Sequence, residues 1–188
     1  TFKERQFPME FPGHWVSNCW QPATKTNSQI TSTNPSSSEV IVEFYSDPTT
    51  LKKAIDSSAG VALSFSKTSF SDRVTNLEKF RVLLLEHKEA AISAMEVEAG
   101  KAHWEAEADF GATMRFLGFL VRDADKIHDA AMQGVRTGYP NEVDYHLQGI
   151  GTTMAYLPFS SPITSLAQYF GCCLLAGCPL TLVVSHHA

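Results

Sequence analysis

The sequence predicts an α/β fold: a layer of helices, then the opening βαβ unit of a parallel sheet that is incomplete as a stand-alone domain. Three observations lead there. Phe110, Met114, Leu117, Val121 and Ala124 recur in steps of four and three residues, which puts them on one face of a long helix. Near the end of the chain, Ile150 to Leu157 and Leu180 to Val184 read as buried strands on either side of a helix from Pro162 to Ala176. Such a unit builds a parallel sheet, with ligands at the carboxyl ends of its strands. A parallel pair buries both faces and needs neighbours. Few residues follow Val184, so the sheet is expected to be cut open or completed by another chain, with apolar surface left uncovered along Leu180 to Val184.

In chain order, residues 1–38 read as an arm of loops. Pro8, Pro12 and Pro22 interrupt it, Phe11, Trp15 and Trp20 lie along it, and there is room for a short hairpin before a turn-rich connector from Thr31 to Ser38. Residues 39–188 read as the partial domain. Glu39 to Tyr45 is β-branched and aromatic, hence a strand. Asp47 before Pro48 is an N-cap followed by proline at the first helical position, and the helix runs to about Ser66. Ser69 with Asp72 starts the next helix. Its stripe is Val74, Leu77, Phe80, Leu84 and Leu85, resumed by Ile92, Met95 and Ala99 until Gly100 stops it. Gly134 to Gln148 is irregular and offers edge-strand pairing. Gly149-Ile150-Gly151 lacks the third glycine of a dinucleotide fingerprint and precedes its strand, so it reads as a strand entry. Gly177 fits the position just past a helix end.

Composition narrows the function. Hydrophobic residues make up 44% and charged residues 19%, enough for a packed core. Fifteen Lys+Arg against 20 Asp+Glu give a formal charge of -5, which does not suit a nucleic-acid partner. The most apolar stretch, Tyr169 to Val184, is broken by Gly171, Gly177 and Pro179, so no membrane-spanning helix is expected. Thr1-Phe2-Lys3-Glu4-Arg5 leads into no apolar h-region, so no signal peptide is expected. The first residue is not Met, so upstream sequence is expected to have been removed or left out. The four cysteines form no disulfide framework, which favours a reducing compartment, cytoplasmic or organelle matrix. Cys172, Cys173 and Cys178 read as small core hydrophobes. His186-His187 lacks metal-ligand spacing, so no metal site is expected. Glu98, Glu105, Glu107 and Asp109 read as a solvated helix face. Trp104, Phe110 and Phe116 read as core or subunit-contact residues. Lys101 follows a glycine without phosphate-loop spacing, and no Gly-x-Ser-x-Gly occurs.

Five segments, in order, carry a resemblance. They are Asn34-Pro35 through Ile41, Glu98-Ala99-Gly100-Lys101-Ala102-His103-Trp104-Glu105-Ala106, Ala124-Asp125-Lys126-Ile127-His128, Pro158-Phe159-Ser160-Ser161-Pro162, and Ala176-Gly177-Cys178-Pro179 leading into Leu180 to Val183. The chain resembles the aldehyde dehydrogenase superfamily, which has N-P-A-T-G-E-V-I, E-T-G-K-P-x-x-E-A, A-D-K-I-H, P-W-N-F-P and, in its semialdehyde-oxidising NADP-type branch, A-G-C-P-V-V-V-K. The resemblance implies a Rossmann-like coenzyme-binding portion and oxidation of an aldehyde or semialdehyde to an acid with NAD or NADP. In that chemistry a Cys thiolate attacks the aldehyde, hydride passes to the nicotinamide, and a Glu-activated water releases the acid.

The resemblance also implies site positions. Ser160 stands where the family's asparagine supports the oxyanion; its hydroxyl donates one hydrogen bond and is shorter. Val183 stands, within a residue, at the lysine beside the adenosine ribose or its 2′-phosphate, and brings neither charge nor donor. Tyr156, Leu157, Pro158, Phe159 and Ser185 fall at the other coenzyme-facing positions. The turn from Pro158 to Pro162 leaves a strand and enters a helix, so it either touches a nucleotide or serves as a structural turn. None of the four cysteines matches the nucleophile motif. Two readings follow. The chain is the N-terminal part of an NAD(P)-dependent aldehyde dehydrogenase, not competent alone. Alternatively it is a catalytically dead structural subunit, a pseudoenzyme in a larger assembly. The expected partners are copies of itself or other subunits that complete the sheet, with a small aldehyde as substrate if it is enzymatic.

Overall fold

The computed structural model describes residues 9–10, 13–22, 29–45, 47–133 and 147–185. The segment expected to offer edge pairing falls almost wholly outside them, as do His186 and His187. The described part begins with short strands: β1 (Met9–Glu10), β2 (His14–Val16), β3 (Cys19–Gln21), β4 (Gln29–Thr33) and β5 (Val40–Tyr45). The expected hairpin is β2–β3, paired from His14↔Gln21 to Val16↔Cys19. Its two loop residues, Ser17 and Asn18, both have positive φ, 52° and 64°, the left-handed backbone that a two-residue hairpin turn demands. β5 lies between β1 and β4, parallel to the first and antiparallel to the second. Thr31 to Thr33, expected in the connector, are therefore strand: Thr31 pairs with Glu43 and Ser32 with Val42. The turn proper is held by Asn34, whose Oδ1 accepts from the backbone N–H groups of Ser36 and Ser37 at 2.8 and 3.2 Å.

The helical layer follows: α1 (Pro48–Ser66), α2 (Phe70–Glu86), α3 (Lys88–Glu98) and α4 (His103–Gln133). α1 begins where Asp47 predicts. Asp47 Oδ1 accepts from the N–H groups of Thr49 and Thr50 at 3.0 and 3.2 Å, and both threonine hydroxyls donate to the carboxylate. These bonds, the hydroxyls first, lower its pKa from 3.8 to about 2. A folded pKa below the unfolded one means stability that is present above about pH 4 and lost as pH falls towards 2. Asp47→Ala is expected to melt below the parent at neutral pH. Acid titration followed by circular dichroism should show that gap closing between pH 4 and 2; a gap independent of pH would contradict the cap.

α2 opens at Ser69, whose Oγ accepts from the Asp72 N–H at 3.1 Å and donates to its carboxylate at 2.6 Å. The single helix expected from Ser69 to Ala99 is two helices broken at His87, which has φ -98° and ψ 18°. The stripe holds at Leu77, fully buried, and fails at Leu85, which is exposed at the end of α2. In α4, Phe110, Leu117 and Ala124 are buried and Met114 and Val121 half-buried, as their spacing requires. Trp104 at the helix start faces solvent, unlike Phe110 and Phe116.

The chain then enters the parallel unit: β6 (Thr153–Tyr156), α5 (Pro162–Ala176) and β7 (Leu180–Val183). β6 begins three residues later than expected. Gly149 packs so closely on Gly177 that a Cβ there would lie 2.3 Å from the Gly177 carbonyl oxygen, Gly151 has φ +126°, and Ile150 points fully into solvent. Gly177 ends α5 with φ 72° and ψ 30°, as its position predicts. α5 packs on α4 and α2 through Ala167, Gly171 and Leu174, which join Leu77, Leu117 and Leu120 in the main core. A second core gathers Ile92, Met95, Ala106 and Phe110 where α3 meets α4. Cys178 is buried as expected, Cys173 partly so, and Cys172 is exposed: it sits one residue off the Ala167–Gly171–Leu174 stripe and turns away from it. Burial raises the pKa of the Cys173 thiol. Among the described residues no helix is long and apolar enough to cross a membrane, and no cluster of His, Cys, Asp or Glu suits a metal.

Candidate functional site

The parallel pair puts the expected positions at one end of the sheet. β6 and β7 run in register from Thr153↔Leu180 to Tyr156↔Val183, so Tyr156 and Val183 are neighbours on one face at the carboxyl ends. The Leu157 N–H donates to the Val183 carbonyl at 2.9 Å and closes the pair. On that face α1 reaches β7, where Ser58 Oγ and Thr181 Oγ1 are 2.8 Å apart. Thr181 is buried, while Met154 and Tyr156 stay 42% and 62% exposed. The uncovered apolar surface therefore lies on β6 and the turn after it. Leu180, Leu182 and Val183 are half-buried beneath α1 and α5, and only Val184 of that segment is exposed.

Beyond the strands, Leu157 turns inward and is buried, whereas Pro158, Phe159 and Ser160 form an exposed turn. Ser161 occupies the N-cap of α5 yet makes no side-chain bond to that helix's own N–H groups. Its Oγ lies 3.5 Å from Asp109 Oδ2 on α4. Ser185 stands half-buried just past β7. Tyr156, Leu157 and Val183 are thus brought together, with Pro158, Phe159 and Ser160 on the turn above them. Beside this end a cavity of about 230 Å³ is lined by Met95, Leu157, Pro162, Ile163 and Val184, with Glu98 as its charged group.

A polar seam behind the turn did not emerge from the sequence. Asp109, expected on a solvated face, is ion-paired with Lys101, whose side chain is only 8% exposed. Glu105 is 3.7 Å from the same ammonium. Fully buried Thr113 donates from Oγ1 to the Asp109 carbonyl at 2.9 Å, and its Oγ1 lies 2.9 Å from that of Thr164 in the first turn of α5. The signal that would have shown it is the four-residue spacing of Lys101, just before α4, and Glu105, Asp109 and Thr113 on it, one polar line leading into and along the helix.

The sequence model of the aldehyde dehydrogenase family matches residues 20–186. The chain is 30% identical over 145 residues to 1-pyrroline-5-carboxylate dehydrogenase of Bacillus subtilis (strain 168), a match covering 76% of this chain and 28% of that protein. It is 24% identical over 135 residues to the NADP(+) succinate-semialdehyde dehydrogenase of Escherichia coli (strain K12), covering 70% and 27%. Among solved structures, betaine aldehyde dehydrogenase from Staphylococcus aureus, crystallised with NAD+, superposes with a TM-score of 0.76 at 18% identity over 93% of this chain and 35% of that one. The chain spans about a quarter to a third of the length of these proteins. With the family match over most of its length and the Rossmann-like fold around the parallel pair, the chain belongs to the aldehyde dehydrogenase family.

Proposed function

We propose that the chain is the N-terminal, coenzyme-facing part of an NAD(P)-dependent enzyme that oxidises an aldehyde or semialdehyde to an acid, with residues 1–38 as its arm and 39–188 as part of its coenzyme-binding domain. The register pair Tyr156↔Val183 beneath the Pro158–Ser161 turn carries this reading, because α/β sheets take their ligands at the carboxyl ends of the strands. The residues present fit part of a dinucleotide. Tyr156 and Val183 offer an apolar face to a ribose or ring, Ser185 stands just past β7, and α5 begins after the turn at this end of the sheet, where a helix N-terminus favours an anion. They do not fit a 2′-phosphate well: Val183 supplies no charge, and the cation behind the turn, Lys101, is already paired with Asp109.

The coenzyme, when bound, supplies hydride acceptance. The part assigned to this chain is to orient the coenzyme and to donate one hydrogen bond, from the Ser160 hydroxyl, to the substrate oxygen as negative charge develops on it. Further copies or subunits that complete the sheet are the proposed partners, and a reducing compartment is the proposed setting. The cysteine nucleophile and the glutamate base are assigned to sequence outside these 188 residues.

A second reading is favoured by Ser160 and Val183 together: a structural subunit that keeps the family's packing and has lost its chemistry. Intact mass of the protein from its source, followed by an NAD(P)-linked aldehyde oxidation assay, separates the two. A mass well above 20.7 kDa with turnover supports the enzyme. A mass near that value with no turnover overturns the enzyme reading and supports the subunit.

A further inference from the structure

The polar seam behind the Pro158–Ser161 turn reaches Ser161, next in the chain to the one position proposed to touch substrate. Ser161 holds the N-cap position of α5 but does not cap it. Its hydroxyl lies 3.5 Å from the Asp109 carboxylate, a long contact that ties the turn to α4 and not to α5. The carboxylate is fixed in turn by the Lys101 ammonium. Lys101 is nine-tenths buried and comes from the stretch joining α3 to α4, so the pair also locks that stretch to the α4 axis. One turn further along α4, the facing hydroxyls of Thr113 and Thr164 join the two helices at 2.9 Å. The Thr164 hydroxyl also lies 3.5 Å from the Asp109 carbonyl. Asp109 therefore meets α5 through its side chain at Ser161 and through its backbone at Thr164.

The chemistry of the seam indicates why a carboxylate stands there. α5 begins with Pro162, which has no N–H, and the Ser161 side chain serves none of the N–H groups that follow. The first turn thus keeps a partial positive charge, and a carboxylate nearby complements it. Left alone, that carboxylate would compete with any anion drawn to the same helix end. Lys101 offsets its charge while leaving Asp109 Oδ2 in place to accept from Ser161. Glu105 also lies 3.7 Å from that ammonium, so the group keeps a net negative charge; an Asp109 oxygen held against a nine-tenths buried cation is still a fixed acceptor, suited to setting geometry.

We propose that Asp109, held by Lys101, is a positioning residue. Through Ser161 it fixes the turn that carries Ser160, and so sets the direction of the Ser160 hydroxyl. The proposal rests on the reading of Ser160 as the oxyanion donor. Asp109 and Lys101 themselves touch neither substrate nor coenzyme.

The test is amide hydrogen exchange on the full chain, comparing the parent with Asp109→Asn, Ser161→Ala and, as a control, Glu78→Gln, which breaks the remote Glu78–Arg81 pair on α2. Exchange at Phe159, Ser160 and Ser161 is expected to quicken about tenfold in Asp109→Asn and several-fold in Ser161→Ala. The cores around Leu117 and Met95 should keep the parent rates, and Glu78→Gln should leave the turn unchanged. Ser161 is half-buried at the surface, so that variant folds even if Asp109→Asn does not. Unchanged rates at the turn in Ser161→Ala overturn the proposal. So does acceleration spread evenly over α4 and α5, which marks a pair that only stabilises the fold. In the longer enzyme, Ser161→Ala should lower kcat with KM for the aldehyde unchanged. Absence of turnover in the parent would remove the oxyanion role of Ser160 while leaving the exchange result to judge the positioning of the turn.

Discussion

Leu117→Ala is expected to lower the unfolding free energy by about 3–4 kcal/mol, the range for large-to-small changes at sites that cannot collapse. Leu117 is fully buried in the main core, between α2 and α5, beside Leu77, Leu120, Ala167 and Leu174. α5 already approaches as closely as its backbone allows. It presents Gly171 there, and a Cβ at that position would lie 2.7 Å from Leu120 Cδ1, 3.6 Å from Leu77 Cδ1 and 3.8 Å from Leu117 Cδ2. Removing the Leu117 side chain leaves a void that neither helix can fill by sliding. Domains of this size are stable by roughly 5–15 kcal/mol, so the loss is a large share of the total. At about 2–4 °C per kcal/mol, calorimetry should record a midpoint about 10 °C lower. Leu85→Ala, at an exposed position, should change stability by less than about 0.5 kcal/mol. Equal losses at the two sites would contradict the assignment of the core.

The contrast between Leu77 and Leu85 shows what the sequence could and could not say. Helical spacing finds a stripe but not its width, and Leu85 lies at the edge where α2 ends and the chain turns at His87. Elements with local signals were legible: Asp47-Pro48 opens α1, Ser69 opens α2, and Gly177 closes α5. Elements that depend on distant partners were not. β4 is strand because β5 lies beside it, and Thr31 to Thr33 carry no apolar alternation to announce it. Ile150 reads as a strand residue by composition, yet Gly149 packs closely on Gly177 and β6 starts beyond it. At the site, motif order placed Tyr156, Leu157 and Val183, and the register brings them together. The acidic run that holds Asp109 reads as solvated, as such runs usually are. The partners of Asp109, Lys101 from before α4 and Ser161 from α5, meet it only once the helices pack.

If the proposed enzyme reading holds, Ser160→Asn in the longer protein is expected to raise kcat about ten- to a hundredfold, with KM for the aldehyde within about twofold of the parent. Removing a side-chain oxyanion donor typically costs about 10²–10³ in kcat. Serine retains a donor, so the gain from replacing it should fall below that range. An asparagine amide reaches further from the backbone than a serine hydroxyl, and its planar group rotates less freely. The donor matters only when the carbonyl oxygen becomes negative, so the effect belongs to kcat and not to KM. Ser160 is exposed on its turn and forms no part of either core, so the substitution should leave the thermal midpoint close to the parent value. Ser160→Ala gives the opposite arm, a fall in kcat at constant midpoint. If both variants match the parent in turnover, Ser160 is not the oxyanion donor, and the turn serves the fold alone. If parent and variants alike show no turnover while each remains folded, the structural-subunit reading stands, and the surface around Met154, Tyr156 and Phe159 becomes the place to look for what the chain assembles with.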